Sequence, residues 1–265
     1  MFPNNKVARF SDYEILALDN NDYISKAVLA GTDWAAATCE ITGIFTQNID
    51  KPLVLDIGAN LGTYAIKLGK SLQPKGGDVV AFEPQRVIFY HLCASVVLNR
   101  LDNVHPMNMA LGDTGGIVDV PTSFDGVNCN YGAVSLDQKI NEQRGWNFAP
   151  DSSEFSKVPI SRLDDVYLPR KIDFIKMDVE GFEARVLDGA LETLEASGWP
   201  PMILEVWNEQ NFVAAKEELL NRIDSLGYQR LMLKNGECIA HHPNHSVQVN
   251  MVENPNGSIT WNRVS

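Results

Sequence analysis

Three short stretches of this sequence place carboxylates and glycines where a polar ligand can be held. The first is Asp56-Ile57-Gly58-Ala59-Asn60-Leu61-Gly62, followed by Thr63. Glycines let the backbone turn tightly and come close to a ligand, and a helix N-terminus behind such a loop favours negative charge. The stretch is not G-x-G-x-x-G, because position 60 is Asn, and it is not a P-loop, because no Gly-Lys-Ser/Thr follows. Alone, it is equally an ordinary strand-to-helix turn. The second stretch is Glu83-Pro84, with Glu83 standing 21 residues beyond Gly62. A carboxylate there can accept both hydroxyl protons of an adenosine ribose. By itself it is also a solvated strand-end carboxylate; the glycine loop at the right distance selects the ribose contact. The third is Lys176-Met177-Asp178-Val179-Glu180-Gly181. Asp178 and Glu180 are its candidate catalytic carboxylates, although Glu180 can instead cap a helix N-terminus, where the dipole stabilises an acid. Glu205, ahead of Val206-Trp207-Asn208-Glu209, belongs to the same rim.

Asp178 beside Glu180 offers two hard oxygen ligands suited to Mg²⁺. No third ligand stands out, so no metal is expected. The run His241-His242-Pro243-Asn244-His245 holds three of the five histidines. A base or metal site is one reading, but no H-x-x-x-H lies on a helix, and a polar turn between strands is expected. Tyr131, Trp146 and Phe148 can line an acceptor pocket, with core or lid packing as the plainer reading.

The elements around these residues alternate. Leu53-Val54-Leu55, Val79 to Phe82, Phe174 to Met177 and Met202 to Val206 are short apolar runs. Without polar alternation they predict strands buried on both faces, as in parallel sheets. Helices are expected over Trp34–Phe45, Thr63–Lys70, Val87–Leu98, Phe182–Leu194 and Phe212–Leu226, the last closed by Gly227. Strands alternating with helices make a doubly wound α/β sheet, whose ligand crevice lies beyond the carboxyl ends of the strands. That places Asp178 and Glu180 at the crevice. Residues 228–253 predict C-terminal antiparallel strands: Tyr228–Lys234, an Asn235-Gly236 turn, Glu237–Ala240, then Val247–Val252. Residues 1–50 form an N-terminal helical cap segment, and 51–265 the main domain, with a hairpin and long loop inserted over 115–160.

Composition narrows the partners. The chain has 265 residues, 22 Lys+Arg against 34 Asp+Glu, and a net charge of −12. A nucleic-acid surface needs clustered Lys/Arg to displace counterions, and a polybasic membrane patch needs the same. Neither partner is expected. No apolar run reaches the length of a membrane span, and the first residues lack the apolar stretch of a signal peptide. Cys39, Cys93, Cys129 and Cys238 are at least 36 positions apart, which is neither a zinc pattern nor a disulfide framework. These features together predict a reduced, cytoplasmic-type protein.

In order along the chain, D-I-G-A-N-L-G (56–62), A-F-E-P (81–84), A-L-G-D (110–113), N-Y-G (130–132), S-R-L-D-D (161–165), K-M-D-V-E-G (176–181), V-L-D-G-A (186–190) and I-L-E-V (203–206) resemble the FkbM family of S-adenosylmethionine-dependent methyltransferases. The resemblance spans roughly residues 50–206 and implies a Rossmann-like class I methyltransferase fold. It implies that Asp56, Gly58, Asn60, Gly62 and Thr63 surround the methionine part of S-adenosylmethionine. Glu83 and Pro84 would lie at the ribose, and Met109, Ala110 and Leu111 at the adenine, with Asp113 near its exocyclic amine. Family members act mostly on hydroxyls of sugars, polyketide-type products and related small molecules. The resemblance therefore implies an O-methyltransferase with a small-molecule or glycan acceptor. Orientation of such an acceptor can supply about 7–11 kcal/mol of the barrier, and a general base a further factor of about 10²–10⁴. Asp178 is the first candidate for that base and Glu180 the second. An RNA methyltransferase on the same fold and a non-catalytic cofactor-binding protein are the alternatives. Residues 1–30 and 133–160, with Trp146, Asn147 and Phe148, match no family pattern.

Overall fold

A computed structural model describes residues 4–20, 22–121, 131–144, 155–207, 212–255 and 258–264. The chain begins with strands β1 (Asn5–Arg9) and β2 (Glu14–Leu18), then helices α1 (Tyr23–Leu29) and α2 (Ala36–Thr46). The alternating part follows: β3 (Leu53–Ile57), α3 (Thr63–Leu72), β4 (Asp78–Phe82), α4 (Arg86–Asn99) and β5 (Val104–Met107). Next come β6 (Ala110–Leu111), β7 (Gly116–Pro121), α5 (Gln138–Gln143) and β8 (Phe155–Ser161). The second half holds β9 (Phe174–Met177), α6 (Glu183–Asp188), α7 (Leu191–Ala196), β10 (Met202–Glu205) and α8 (Val213–Ser225). It ends in β11 (Gln229–Met232), β12 (Glu237–His241), β13 (Val249–Glu253) and β14 (Ile259–Arg263).

The main sheet has seven strands in the order β11-β12-β10-β9-β3-β4-β5. From β10 to β5 every pairing is parallel, and β12 runs antiparallel to both β10 and β11. The chain builds outward from β3 on one side through β4 and β5, then returns to build the other through β9 and β10. The switch point therefore lies between β3 and β9. The expected all-apolar strands are buried on both faces. Leu53, Leu55 and Ile57 face one core cluster and Val54 the other, while Val80 and Phe82 oppose Val79 and Ala81. One cluster takes in Ile41, Ile66, Leu68 and Leu92, from α2, α3 and α4. The other takes in Val186, Leu194, Leu219 and Ile223, from α6, α7 and α8. The fold is thus the doubly wound α/β architecture expected, with an antiparallel C-terminal hairpin on one edge.

Four expectations need correction. The N-terminal segment is not wholly helical, because β1 and β2 pair as an antiparallel hairpin. That hairpin lies along α4: Ser95 Oγ accepts from the Leu16 amide at 3.0 Å, and Asn99 Oδ1 from the Glu14 amide at 2.8 Å. Helix side chains thereby satisfy a strand edge that would otherwise stay unpaired. Second, Phe182–Leu194 is two helices, broken at Gly189. The Gly189 carbonyl accepts from the Asp164 amide at 3.0 Å and Asp164 Oδ1 accepts from the Thr193 amide at 2.8 Å, so the two groups that would carry the helix past Gly189 are both taken; a Cβ on Gly189 would also stand 1.9 Å from the Gly112 carbonyl oxygen. Third, β13 leaves the main sheet and pairs with β14 alone. Fourth, the 115–160 insertion contains the expected hairpin, with β7 antiparallel to β8, but also α5. Cys129, Asn130, Trp146, Asn147, Phe148, Asn208 and Glu209 lie outside the described residues. Among the described residues no helix is long and apolar enough to cross a membrane.

Candidate active site

At the carboxyl end of β3 the chain turns through Gly58, Asn60 and Gly62, with φ values of +83°, +50° and +88°. Gly58 is required by proximity as well as by φ, since a Cβ there would stand 1.8 Å from the backbone oxygen of Asp178. The loops leaving β3 and β9 are therefore in backbone contact at the switch point. Amides of Gly58 and Ala59 donate to the Phe82 carbonyl at 3.0 and 2.9 Å, tying the loop to β4 as well.

Beneath this loop sits a buried ion cluster that sequence reasoning did not assign. Lys176 Nζ donates to the Gly58 carbonyl at 2.9 Å and lies 3.2 Å from Asp56 Oδ1 and 3.5 Å from Asp178 Oδ2. Burial pushes the Asp56 carboxyl up while Lys176 pulls it back. Burial lowers Lys176, but the carboxylates of Asp56 and Asp178 more than offset this and leave it raised. Asp56 is 0% exposed. It is not among the lining residues of the cleft or cavity described below, and it steadies the loop through Lys176, which also holds the Gly58 carbonyl.

Glu83, at the end of β4, is 4% exposed. One carboxylate oxygen accepts from the Asn60 amide at 2.9 Å and the other from the Gln85 amide at 2.8 Å. Burial raises its carboxyl to about 7, against the lowering effect of those two amides. Glu83 lines a narrow cleft together with Gly58, Asn60, Pro84, Met109, Ala110 and Leu111, so seven of the expected contact positions share one wall. Gly62 and Thr63 do not line this cleft. Thr63 lines a small space that shares Asn60 and Asp178 with the cleft, and a Cβ at Gly62 would press on Leu92 at 2.6 Å. Asp113 is also absent from the cleft and pairs with Arg185 at 3.1 Å.

Asp178 and Glu180 leave β9 at the crevice as expected. The Asp178 side chain is 38% exposed. Glu180 does not take the capping role. Glu183, the first residue of α6, instead ties down the turn ahead of the helix, accepting from the amides of Val179 at 3.0 Å and Gly181 at 3.3 Å. Glu180 instead adopts φ +56° and binds Arg144 Nη2 at 3.1 Å. Burial and the Asp178 charge raise Glu180 to about 8, with Arg144 opposing. Arg144 follows α5, and its guanidinium carbon lies 4.5 Å and 5.1 Å from the ring centres of Phe212 and Trp207. No spacing in the 133–160 stretch points to it.

A second cavity, of about 440 Å³, opens against the first. The two share Asn60, Gly132, Asp178 and Glu180 in their walls. Glu205 and Glu237 line only the larger one and are direct cross-strand partners of β10 and β12. The aromatic walls are Tyr23, Trp34 and Trp207, supplied largely by the N-terminal segment, while Tyr131 packs against the core. Carboxylate oxygens of Asp178, Glu180 and Glu205 come within 4.8 Å of one another. Glu205 therefore joins the pair that the sequence offered, making a trio of oxygens of the kind a hard divalent cation takes. Lys176 and Arg144 already supply two positive charges to it. Burial, followed by the charge and hydrogen bond of Asp178, pushes Glu205 up to about 12, so it is a neutral acid at ordinary pH. The histidines are elsewhere. His241 closes β12 near the start of β10, at the opposite end of the sheet, with Nε2 2.9 Å from the Val247 carbonyl. His242 stacks on Trp199 at 5.1 Å, and the cluster is the expected turn, packed into the core.

The profile of the Methyltransferase FkbM domain matches residues 56–230. The chain belongs to the FkbM methyltransferase family. Members are S-adenosylmethionine-dependent methyltransferases, and this chain is one of them. Among curated proteins, Methyltransferase sdnD of Sordaria araneosa is 28% identical over 193 residues, covering 61% of this chain and 73% of that protein. Among solved structures, Methyltransferase FkbM from Methylobacillus flagellatus KT is 17% identical, with a TM-score of 0.44, covering 83% of this chain and 55% of that one. The ribosomal protein L11 methylase of Lactobacillus delbrueckii subsp. bulgaricus is 12% identical, with a TM-score of 0.44, and 79% of each chain is covered. Likeness at this level carries no functional argument; the strand order described above defines the fold.

Proposed function

We propose that this FkbM methyltransferase holds S-adenosylmethionine in the narrow cleft and methylates a hydroxyl of a small-molecule or glycan acceptor, of the sugar or polyketide type, in the larger cavity. The observation that carries this reading is the shared wall: Asn60, Gly132, Asp178 and Glu180 border both spaces, so the spaces meet beside Asp178. The narrow cleft suits the cofactor. Glu83 offers a buried carboxylate for ribose hydroxyls, and Ile57, Phe82, Met109 and Leu111 offer apolar surface for a flat ring.

The bound cofactor supplies a methyl group on a sulfonium, electrophilic without further activation. The chain's own task is to orient the acceptor hydroxyl and remove its proton. Asp178 is the half-exposed carboxylate at the junction, and one of its oxygens takes that proton. Neutral Glu205 donates to Asp178 and fixes its orientation. Lys176, 3.5 Å away, anchors it from the other side. Asp33 and Glu237 add negative charge to the acceptor cavity, which disfavours a phosphate-rich RNA acceptor. Free thiols at Cys39, Cys93 and Cys238 suit a reducing, cytoplasmic-type compartment.

The test is labelled methyl transfer to a panel of deoxysugars, glycosides and macrolide-type alcohols, with total RNA alongside. Asp178→Asn should lose about 10²–10⁴ in rate with cofactor affinity nearly unchanged. Label appearing in RNA alone would replace the acceptor assignment. Cofactor binding without turnover on any acceptor would favour a non-catalytic protein, and near-normal turnover in Asp178→Asn would move the base to Glu180.

A further inference from the structure

One carboxylate in the wall of the larger cavity has no cation of its own. Of the five acidic residues that line it, Asp33 pairs with Lys67, Asp178 with Lys176 and Glu180 with Arg144. Glu205 is a neutral acid. Glu237 is the exception among the described residues. Its side-chain partners are both uncharged: Thr38 Oγ1 donates to Oε1 at 3.4 Å, and Asn235 Nδ2 to Oε2 at 2.6 Å. Glu237 is half-buried at the start of β12. A half-buried carboxylate that borders a cavity and holds only neutral donors is a ready counter-ion, because Coulomb attraction there is several times stronger than in bulk water.

Two aromatic rings stand beside it. Trp34 lines the same cavity just ahead of α2, and Thr38, in the first turn of that helix, is the residue that donates to Glu237. Tyr23 meets Trp34 edge-on, with ring centres 5.7 Å apart and planes at 88°. Trp34 is 45% and Tyr23 61% exposed, so ring surface of each is left uncovered. Ring faces at right angles beside a carboxylate suit a protonated amine: the rings attract its charge and the carboxylate accepts its N–H. A neutral hydroxyl would gain the hydrogen bond without the attraction of either ring. We propose that the acceptor carries a protonated amine, as an amino sugar or an amine-bearing polyketide-type alcohol does, seated against Glu237 and Trp34 while its hydroxyl lies at Asp178. This rests on the acceptor assignment above and names the substrate class of that cavity. Glu237 pairs across the strands with Glu205, whose carboxylate lies within 4.8 Å of that of Asp178, so amine and hydroxyl belong to one compact skeleton. Held as an ammonium, the nitrogen has no lone pair to attack the methyl group. Transfer therefore goes to the hydroxyl oxygen, whose proton passes to Asp178.

The experiment titrates the full chain, saturated with S-adenosylhomocysteine, with amino-deoxyglucosides that differ in the position of the amine and with a macrolide bearing an amino sugar. Each is set beside its neutral hydroxyl counterpart and its own N-acetyl derivative. The same compounds are then offered as acceptors with labelled S-adenosylmethionine. At least one amino compound should bind, and be methylated on oxygen, at least about tenfold better than both of its neutral counterparts. In Glu237→Gln, which keeps shape and loses charge, that ratio should fall below about threefold. Trp34→Leu should lower it as well and carries the test if the Gln variant does not fold; binding of S-adenosylhomocysteine reports folding in both. Methylation of neutral acceptors with no amine preference would overturn this proposal and leave the acceptor reading standing. Amine-selective binding without methyl transfer to any compound would remove the acceptor reading and this inference with it. An amine preference undiminished in both variants, methylation on nitrogen, or a wild type that binds none of the amino compounds would each overturn the proposal.

Discussion

Lys176→Met tests whether the glycine loop is held from beneath. The substitution keeps an unbranched side chain of similar length and removes one positive charge. In the wild type that charge sits 3.2 Å from Asp56, whose side chain is 0% exposed, and donates to the Gly58 carbonyl. Deleting one partner of a buried ion pair leaves the other as an unpaired charge, a loss of about 3–5 kcal/mol. Against a total stability of about 5–15 kcal/mol, that is a large fraction. The loss should depend on pH with a definite sign. Burial already raises Asp56, and without Lys176 it rises further. A carboxyl raised in the folded state loses stability as pH climbs through its folded value, so the deficit should be largest at alkaline pH and shrink toward acid. Urea unfolding followed by tryptophan fluorescence between pH 5 and pH 8.5 reads both effects. Asp56→Asn added to Lys176→Met should recover at least about half of the loss, because the orphaned charge is gone. A single variant within about 1 kcal/mol of wild type, or a double variant no better than the single, would refute the argument.

Three further outcomes follow from the cofactor cleft. S-adenosylmethionine or its demethylated product at 100 times its dissociation constant should stabilise the chain by about 2.7 kcal/mol, seen as an upward thermal shift; no shift with either compound at millimolar concentration would remove the cofactor assignment. Glu83→Ala should weaken cofactor binding by about 2–4 kcal/mol, and it should also destabilise the free protein, because the amides of Asn60 and Gln85 lose their acceptor. Since Glu83 sits at about 7 and ribose donors favour its charged form, wild-type affinity should tighten from pH 6 to pH 8, and calorimetry showing the opposite slope would contradict the ribose contact.

The parallel strands were legible because double burial leaves an apolar run that needs no partner information. Gly58 was legible for a related reason: a strand followed by glycine and then a helix is a local pattern. What could not be read depended on contacts between distant segments. The apolar positions 182, 186, 190 and 194 keep helical phase straight through the break, so only the contacts of distant Asp164 with the Gly189 carbonyl and the Thr193 amide reveal it. Glu205 joins Asp178 and Glu180 because β10 lies beside β9, and sequence separation hides that. Arg144 reaches Glu180 from a segment with no repeating pattern. In the N-terminal segment, β1 and β2 are short and owe their edge to Ser95 and Asn99, far along the chain.

The insertion of β12 between β10 and β11 brings Asn235 and Glu237 to the larger cavity, next to residues between Tyr23 and Thr38, where Thr38 Oγ1 donates to Glu237 Oε1 at 3.4 Å. Both contributions fall outside residues 56–230, the span matched by the family profile, whereas the narrow cleft is lined from within it. On the proposed assignment, the two ends of the chain form a removable jaw around whatever is methylated, clamped onto a central engine that supplies the methyl group. Chimeras that exchange only these flanking portions between relatives should therefore transplant acceptor choice and leave the engine running.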